Sequence, residues 1–506
     1  MDKRFVLALG LSLFVLLGWS AWVSKSQHTA IKEVTEKTPS VATSSPSVTP
    51  PPVAPDIIEC EIPVDSLWKY AREKLEINFI KPQAAIKDVM FRAYPGRDFA
   101  LFNGLLLEDK SLQFRQEATS VEGVTFVSND AQKKVTKRFI FSKSSYDMWL
   151  EINVQNKSAS ALSIELPLIL GRLDFSPRNP QATYQDVIVA TKEKTSHFNA
   201  KKDLAFEQVK FLGLRDRYFC AIVQPEKDDY SGFIRKINNQ GSDIGVLLKI
   251  NNLASGSVWQ EKFHIYLGPQ DLHLLNKVNP GWSAIIYYGT FDFIAQLILQ
   301  LLDFLQGIVR NWGAAIVLLS VLVYLILYPL TIKQIRSMKE MQAIQPKVAA
   351  LRKLYKDNPQ KLNKEVMQLY KDHKVNPLGG CLPMLLQMPI FIALWQAFQR
   401  SIALKGAHFL WIKDLSEPDR LVMLPTTWPI KEFNILPILT AVLMFAQQKI
   451  SMPAGGEGAE QQKMMTIILP FIFAFAFYNM PSGWVLYFLV YSLLSFVFQY
   501  KLMHAK

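Results

Sequence analysis

The chain has 506 residues, is half hydrophobic, and carries 56 Lys and Arg against 43 Asp and Glu, a formal charge of +13. The basic residues lie beside hydrophobic runs, which favours a membrane protein with positively charged loops over a nucleic-acid binder. Its three cysteines, Cys60, Cys220 and Cys381, form no CxxC pair and no His/Cys group with metal spacing, so no metal or other cofactor is implied.

The chain opens on MDKRFVLALGLSLFVLLGWSAWVSK. Lys3 and Arg4 precede an apolar run from Phe5 to Val23, which at about 1.5 Å per residue nearly crosses a hydrocarbon core of about 30 Å. No A-x-A cleavage site and no lipobox-like cysteine follow, so residues 1–23 read as an uncleaved signal anchor, Lys3 and Arg4 inside and Trp19 and Trp22 at the outer interface. Residues 24–56, with TPSVATSSPSVTPPPVAP, are too rich in Ser, Thr and Pro to bury a core and read as a linker.

Residues 57–275 predict a large β-sandwich. KRFIFSK, MWLEINVQN, VLLKINN and KFHIYLG alternate with period two between clusters of Asn, Gly, Ser and Lys. His197, His264 and His273 read as ordinary surface or core histidines, since no motif gives them a carboxylate. Cys60 and Cys220 could pair only if both lie outside the cytoplasm, and spacing does not decide it.

Residues 282–308 turn helical. Asp292, Gln296, Gln300 and Asp303 share one face and leucines and isoleucines the other, the pattern of an amphipathic helix lying in a membrane interface. Five apolar segments follow, at 312–330, 378–398, 434–448, 464–478 and 483–500. The third and fourth, about 15 residues each, cover only about 22 Å of helix and would thin the bilayer around them.

Between Lys333 and Lys374 eleven Lys and Arg face four acids, and the tail, 501–506, adds Lys501 and Lys506. Both are placed in the cytoplasm by the excess of positive charge. With the amino terminus also inside, six spans close the count and the β domain lies outside. Residues 333–376 predict a helical hairpin folded at KDNPQ. It reads either as a solvated charged arm or as one resting on anionic lipid or ribosomal RNA, where each Lys or Arg contributes about 1 kcal/mol near an anionic surface.

The segment VNPLGGCLPMLLQMPIFIALWQAFQRS carries the most specific pattern, with Gly379-Gly380 turning the chain into the membrane and Pro383 and Pro389 inside the span. Together with YPLTIKQIRSMKEMQAIQPK, LWIKDLSEPD, QQKMMTIILPFIFAFAFYNMPSGWVLYFLVYSLLS and YLGP it resembles the YidC/Oxa/Alb insertases over about residues 265–500. The outer β domain resembles that of the double-membrane bacterial members. The resemblance implies a multi-pass α-helical membrane protein with a five-helix core and an extracytoplasmic β-supersandwich domain. It implies a non-enzymatic insertase and folding chaperone of the bacterial inner membrane. Its partners would be nascent membrane proteins, the ribosome at hairpin and tail, the Sec translocon and anionic lipids, with the chain itself a monomer. No Walker-type loop is present.

One departure stands out. Where the family usually carries an arginine on the second span, five residues before the proline of YPL, this chain has Tyr324. The resemblance implies a polar groove among the five spans, open to the cytoplasm and lipid and closed to the outside; the matching positions are Ser320 and Tyr324, with Tyr328 on the same helical face, and Tyr487 and Phe488 on the last span, while Gln448 joins them by position and Gln396 and Arg400, four apart, share a face. Either Arg400 or Arg310 supplies a positive charge from nearer the outer end, or the groove works by hydration alone, the reading we favour. Tyr324 and Tyr328 also read as packing aromatics, Gln387 as a helix–helix hydrogen bond, and Cys381 as a small packing residue. A transporter would show an internal repeat and ionisable groups inside the spans. An envelope enzyme would show a paired acid and base in the β domain. Neither pattern is found.

Overall fold

The computed structural model describes residues 66–506, apart from positions 144, 178, 180, 228–229, 357, 374, 376–381, 424–431, 452–458 and 505–506. The expected signal anchor, the linker, Cys60 and Cys381 lie outside the described residues.

Alternation builds the β domain. In Asp147–Asn156 every second side chain is buried, among them Met148, Leu150, Ile152 and Val154, and the strand pairs with Lys133–Phe141 on one side and Val258–Pro269 on the other. These lie in a nine-stranded antiparallel sheet; a five-stranded and a four-stranded sheet complete the domain. Gly241–Leu253, inside the five-stranded sheet, buries eight successive residues from Gly241, because both its faces are covered. Phe79, Phe126, Phe139 and Leu150, all fully buried, belong to the shared core. His264 does have a carboxylate partner, Asp147, at 2.9 Å, and stacks on Trp149, a packing role.

The helices are α1 (Leu272–Val278), α2 (Asp292–Val309), α3 (Trp312–Leu354), α4 (Pro359–Asp372), α5 (Leu382–Arg400), α6 (Ile435–Ser451), α7 (Ala459–Phe477) and α8 (Ser482–His504). Three differences from the sequence expectation have physical causes. The amphipathic helix starts at Asp292 rather than near 282, because Asn279 and Pro280 close a separate 3-10 turn over Pro280–Ile285. The second span does not stop at Leu330. Asn311 caps α3, accepting the Ala314 N–H at 3.0 Å, and the helix continues for 43 residues through Pro329 and Pro346. Each proline removes one backbone bond; Leu327 and Leu330 flank Pro329, and Ala343, Gln345, Lys347 and Ala349 surround Pro346, good helix formers that carry the helix across. The span and the first arm of the hairpin are therefore one rod of about 64 Å. Finally, α7 starts at Ala459, five residues ahead of the apolar run. At 17 and 19 residues, α6 and α7 cover about 25 and 28 Å.

The hairpin closes where Asn358 caps α4, accepting the Lys361 N–H at 3.1 Å, and Ile344, Val348 and Val375 are buried along it. Every described lysine and arginine from Lys333 to Lys371 is exposed. On the bundle, Leu325, Ile326, Val442, Ile467, Phe471 and Phe475 are exposed too, an apolar exterior that a bilayer would cover. By length and composition Asp292–Val309, Trp312–Leu354 and Ser482–Met503 could each cross a membrane. The architecture is a multi-pass α-helical membrane protein carrying a β-supersandwich and a basic helical hairpin.

Candidate functional site

At the β-domain end of the bundle, charges and directional bonds close the structure. Arg215, 1% exposed, grips Asp186 with Nε and Nη2, the latter at 2.8 Å, and its Nη1 donates to the Ile285 carbonyl at 2.7 Å. Burial pushes the Asp186 carboxyl up, but the Arg215 cation outweighs it and holds the group below the usual carboxylate range. Arg217 donates from Nε to the Gln399 carbonyl at 2.7 Å and from Nη2 to the Ser416 carbonyl at 2.9 Å. Tyr218 donates to the Ser416 hydroxyl at 3.2 Å. Glu417 lies 3.2 Å from Arg97 and 3.6 Å from Arg217. These contacts bind the loop after α5 and the end of α5 to the β domain.

Arg400 belongs to this joint. Its Nη2 lies 3.7 Å from Asp186 and its Nη1 donates to the Tyr184 carbonyl at 3.4 Å. Arg310 is exposed at the end of α2, in a left-handed conformation with φ 53°. Gln396 also sits at this end, its amide pressed against Gly289, whose φ of +124° and lack of a side chain permit the approach.

The middle of the bundle is aromatic. Ser320 is fully buried and donates to the Ile316 carbonyl one turn back, at 2.7 Å. Tyr324, 1% exposed, packs among Tyr328, Tyr491 and Phe498, with ring centroids 5.5 to 6.2 Å away, and its buried hydroxyl has no hydrogen-bond partner among the described residues. Elsewhere on α8, Phe488 packs against Phe391, Phe473, Phe477 and Trp484. Tyr487 accepts a bond from Gln387 Nε2 at 3.4 Å, linking α8 to α5. The position where the family's arginine is expected is thus filled by a ring.

Toward the hairpin the lining changes. Thr331, Gln334, Ile335 and Met338 of α3, Gln447 and Gln448 of α6, and Ser495 and Gln499 of α8 surround a cavity of about 230 Å³. Thr331 lies seven residues beyond Tyr324, about 10 Å along the helix. Gln447 Nε2 donates to the Ser495 hydroxyl at 3.0 Å, and Lys339, below, donates to the Leu502 carbonyl at 3.0 Å. Among the described residues the walls carry four amides and two hydroxyls and no ionisable group. At roughly 30 Å³ per molecule the volume suits several waters.

Of the residues singled out from sequence, Gln448 lines this cavity, Tyr324 and Tyr328 form one ring cluster, and Tyr487 and Phe488 lie on two faces of α8. Gln396 and Arg400 stay at the opposite end. The sequence reading missed Thr331, Gln334, Gln447, Ser495 and Gln499. The available signal was the set of neutral polar residues recurring at the hairpin-side ends of three different apolar segments. Among the described residues no group of His, Cys, Asp or Glu is arranged to hold a metal.

Comparison with known proteins covers both halves. A family described as the 60Kd inner membrane protein matches residues 304–506, and one described as the YidC periplasmic domain matches residues 105–301. A membrane protein insertase YidC of Syntrophobacter fumaroxidans is 34% identical over 409 residues, covering 78% of this chain and 71% of its own. That of Shewanella woodyi is 32% identical over 475 residues, covering 90% and 83%. Among solved structures, an active YidC insertase with its first transmembrane domain resolved aligns with 86% of this chain and 92% of its own at 19% identity and a TM-score of 0.41. With a helical core and a periplasmic β domain each matched in the same order along the sequence, the chain belongs to the YidC family of membrane protein insertases.

Proposed function

We propose that this protein inserts nascent membrane proteins into the bacterial inner membrane without a bound cofactor or chemical catalysis, using the amide-lined cavity as its polar way-station. The observation that carries the reading is the neutral polar lining at the hairpin end of an otherwise apolar bundle. A charged side chain at mid-bilayer costs several kcal/mol. A wet pocket lets a hydrophilic flank travel part of the way in before it meets hydrocarbon, and the short apolar stretches within α6 and α7, Ile435–Ile450 and Ile467–Phe477, shorten the rest of the path by thinning the bilayer. The apolar segment of the client then moves sideways into lipid, driven by its own transfer free energy.

In this reading the pocket works by hydration. The two arginines weighed as replacement cations support it by position, one engaged by the β domain and one exposed at the end of α2. The amino and carboxyl termini and the hairpin face the cytoplasm, following the positive charge. The exposed lysines and arginines of the hairpin, with the basic tail, meet the ribosome and anionic lipid. The protein acts as a monomer, alone or beside the Sec translocon.

The test uses a photo-crosslinking residue at Gln334 or Gln448 in cells depleted of their own insertase. Ribosome-bound nascent membrane proteins are expected to crosslink there, and the chain is expected to restore growth. Crosslinks from lipid-facing Ile326 or Phe471 only, or uptake of a small solute without rescue, would remove the proposal.

A further inference from the structure

A second cavity, of about 440 Å³, lies on the β-domain side of the bundle, away from the amide-lined pocket. Its walls come from the end of the β domain, from α1 and the turn after it, from one face of α2, and from Trp312 and the segment after α5. Three carboxylates line it, Asp271, Asp292 and Asp303, beside the rings of Tyr287, Tyr288 and Trp312. No lysine or arginine is among the described lining residues, in a chain with a formal charge of +13. His197 adds no cation. Burial, with Arg215 close by, pushes it down to about 4, its ring lies tilted against Tyr287 at 4.5 Å, and its buried Nδ1 has no hydrogen-bond partner among the described residues. Asp303 of α2 reaches His273 of α1 at 3.2 Å across the cleft.

The form of α2 says what the cleft opens onto. At about 100° per residue the helix divides into three faces. Ala295, Ile298, Leu302 and Leu305 are buried against the bundle. Asp292, Gln296, Gln300 and Asp303 line the cleft. Phe293, Leu297, Phe304 and Ile308 form the third face and are 57 to 80% exposed. That third face has the composition of an interfacial helix lying on acyl chains. It is only about a third of a turn from the polar face, so the mouth of the cleft lies at the boundary of water and lipid.

We propose that this cleft holds an ammonium-bearing headgroup of a zwitterionic outer-leaflet lipid. Carboxylates and aromatic faces together are the lining that suits an alkylammonium group. The acyl chains would leave past Phe293 and Leu297. A phosphate alone would meet the carboxylates with no cation to offset them, which disfavours an anionic lipid. The inference rests on the periplasmic placement of the β domain and not on insertion activity.

The experiment takes the full chain in nanodiscs made with equal parts of ethanolamine- and glycerol-headgroup lipid, and reads the lipid retained by native mass spectrometry. Retention of the ethanolamine lipid over the glycerol lipid is expected. Asp303→Asn should lower that preference by about threefold, the scale of one partly exposed ion pair, and the double variant with Asp292→Asn should lower it further. Asp303 is exposed and its partner in the cleft is His273, so the single variant keeps the fold and the test stands even if the double variant unfolds. Equal retention of both lipids, or a preference unchanged by Asp303→Asn, overturns the proposal. Displacement of the lipid by glycerophosphoethanolamine, lacking acyl chains, at the same concentration would show a soluble amine site and overturn the lipid assignment.

Discussion

The two ends of the helical bundle solve opposite problems with different polar groups. At the β-domain end, Arg215, Arg217 and Arg400 meet Asp186 and the carbonyls of Tyr184, Ile285, Gln399 and Ser416. At the hairpin end the polar part of the lining is four glutamines, a threonine and a serine, beside Ile335 and Met338. Buried charges with fixed partners set one geometry, and removing either partner is costly. Neutral amides both donate and accept, so they can exchange a neighbour for water or for a passing chain at small cost. On the proposed reading, fixed charge closes this protein and uncharged polarity opens it.

The largest expected effect breaks the closed end. Arg215→Leu empties a buried site and leaves the half-buried Asp186 with only the more distant Arg400, and should cost about 3 kcal/mol. Urea unfolding of the full chain in nanodiscs, followed through the β domain, reads it. A loss under 1 kcal/mol would mean that the joint is incidental. Next comes the open end. Replacing Gln334, Gln447, Gln448 and Gln499 together by Leu should lower insertion of a client with a charged flank by about tenfold, because the flank loses its wet station. A client with an uncharged flank should change less than about twofold, which also reports that the variant is folded.

How much of this contrast was legible in the sequence differs between the ends. Alternation in Asp147–Asn156 announced the β domain, and hydropathy announced the helices, because both patterns are local. The length of α3 was hidden, since a proline reads as a stop although it removes only one bond of a long helix. The joint was invisible because it joins residues far apart in the chain, Arg217 with Gln399 and Arg97 with Glu417. The pocket was half visible. Gln448 stood out by position, whereas Gln334 and Gln499 lie in segments dominated by other signals, the basic arm and the last apolar run.

A third prediction tests whether unpartnered charge is avoided inside the β domain as well. Lys137 is fully buried, donates to the carbonyls of Ala84 and Leu105 at 2.5 and 2.6 Å, and is pushed down to about 7 by burial. Its neutral amine still has two hydrogens for those two carbonyls. Between about 7 and its ordinary value of 10.5 the unfolded chain holds a proton that the folded chain has released. Stability therefore rises with pH across that window and levels above it. Thermal unfolding at pH 7 and pH 9 should show the rise, and Lys137→Met should flatten it. The smallest effect concerns Tyr324. Its hydroxyl is buried without a partner among the described residues, so Tyr324→Phe should be neutral or stabilising, within about 1 kcal/mol, with insertion unchanged. A clear loss of insertion would make that hydroxyl part of the working surface.

Water access separates the aromatic middle from the amide-lined end most directly. In a chain with its three native cysteines replaced, single cysteines at positions 448 and 324 are treated from the cytoplasmic side of inverted membrane vesicles with a charged, membrane-impermeant thiol reagent. The account predicts rapid labelling at 448, slowed by a stalled ribosome carrying a nascent membrane protein, and no labelling at 324. Equal labelling at both positions, or labelling at 324 alone, would contradict it.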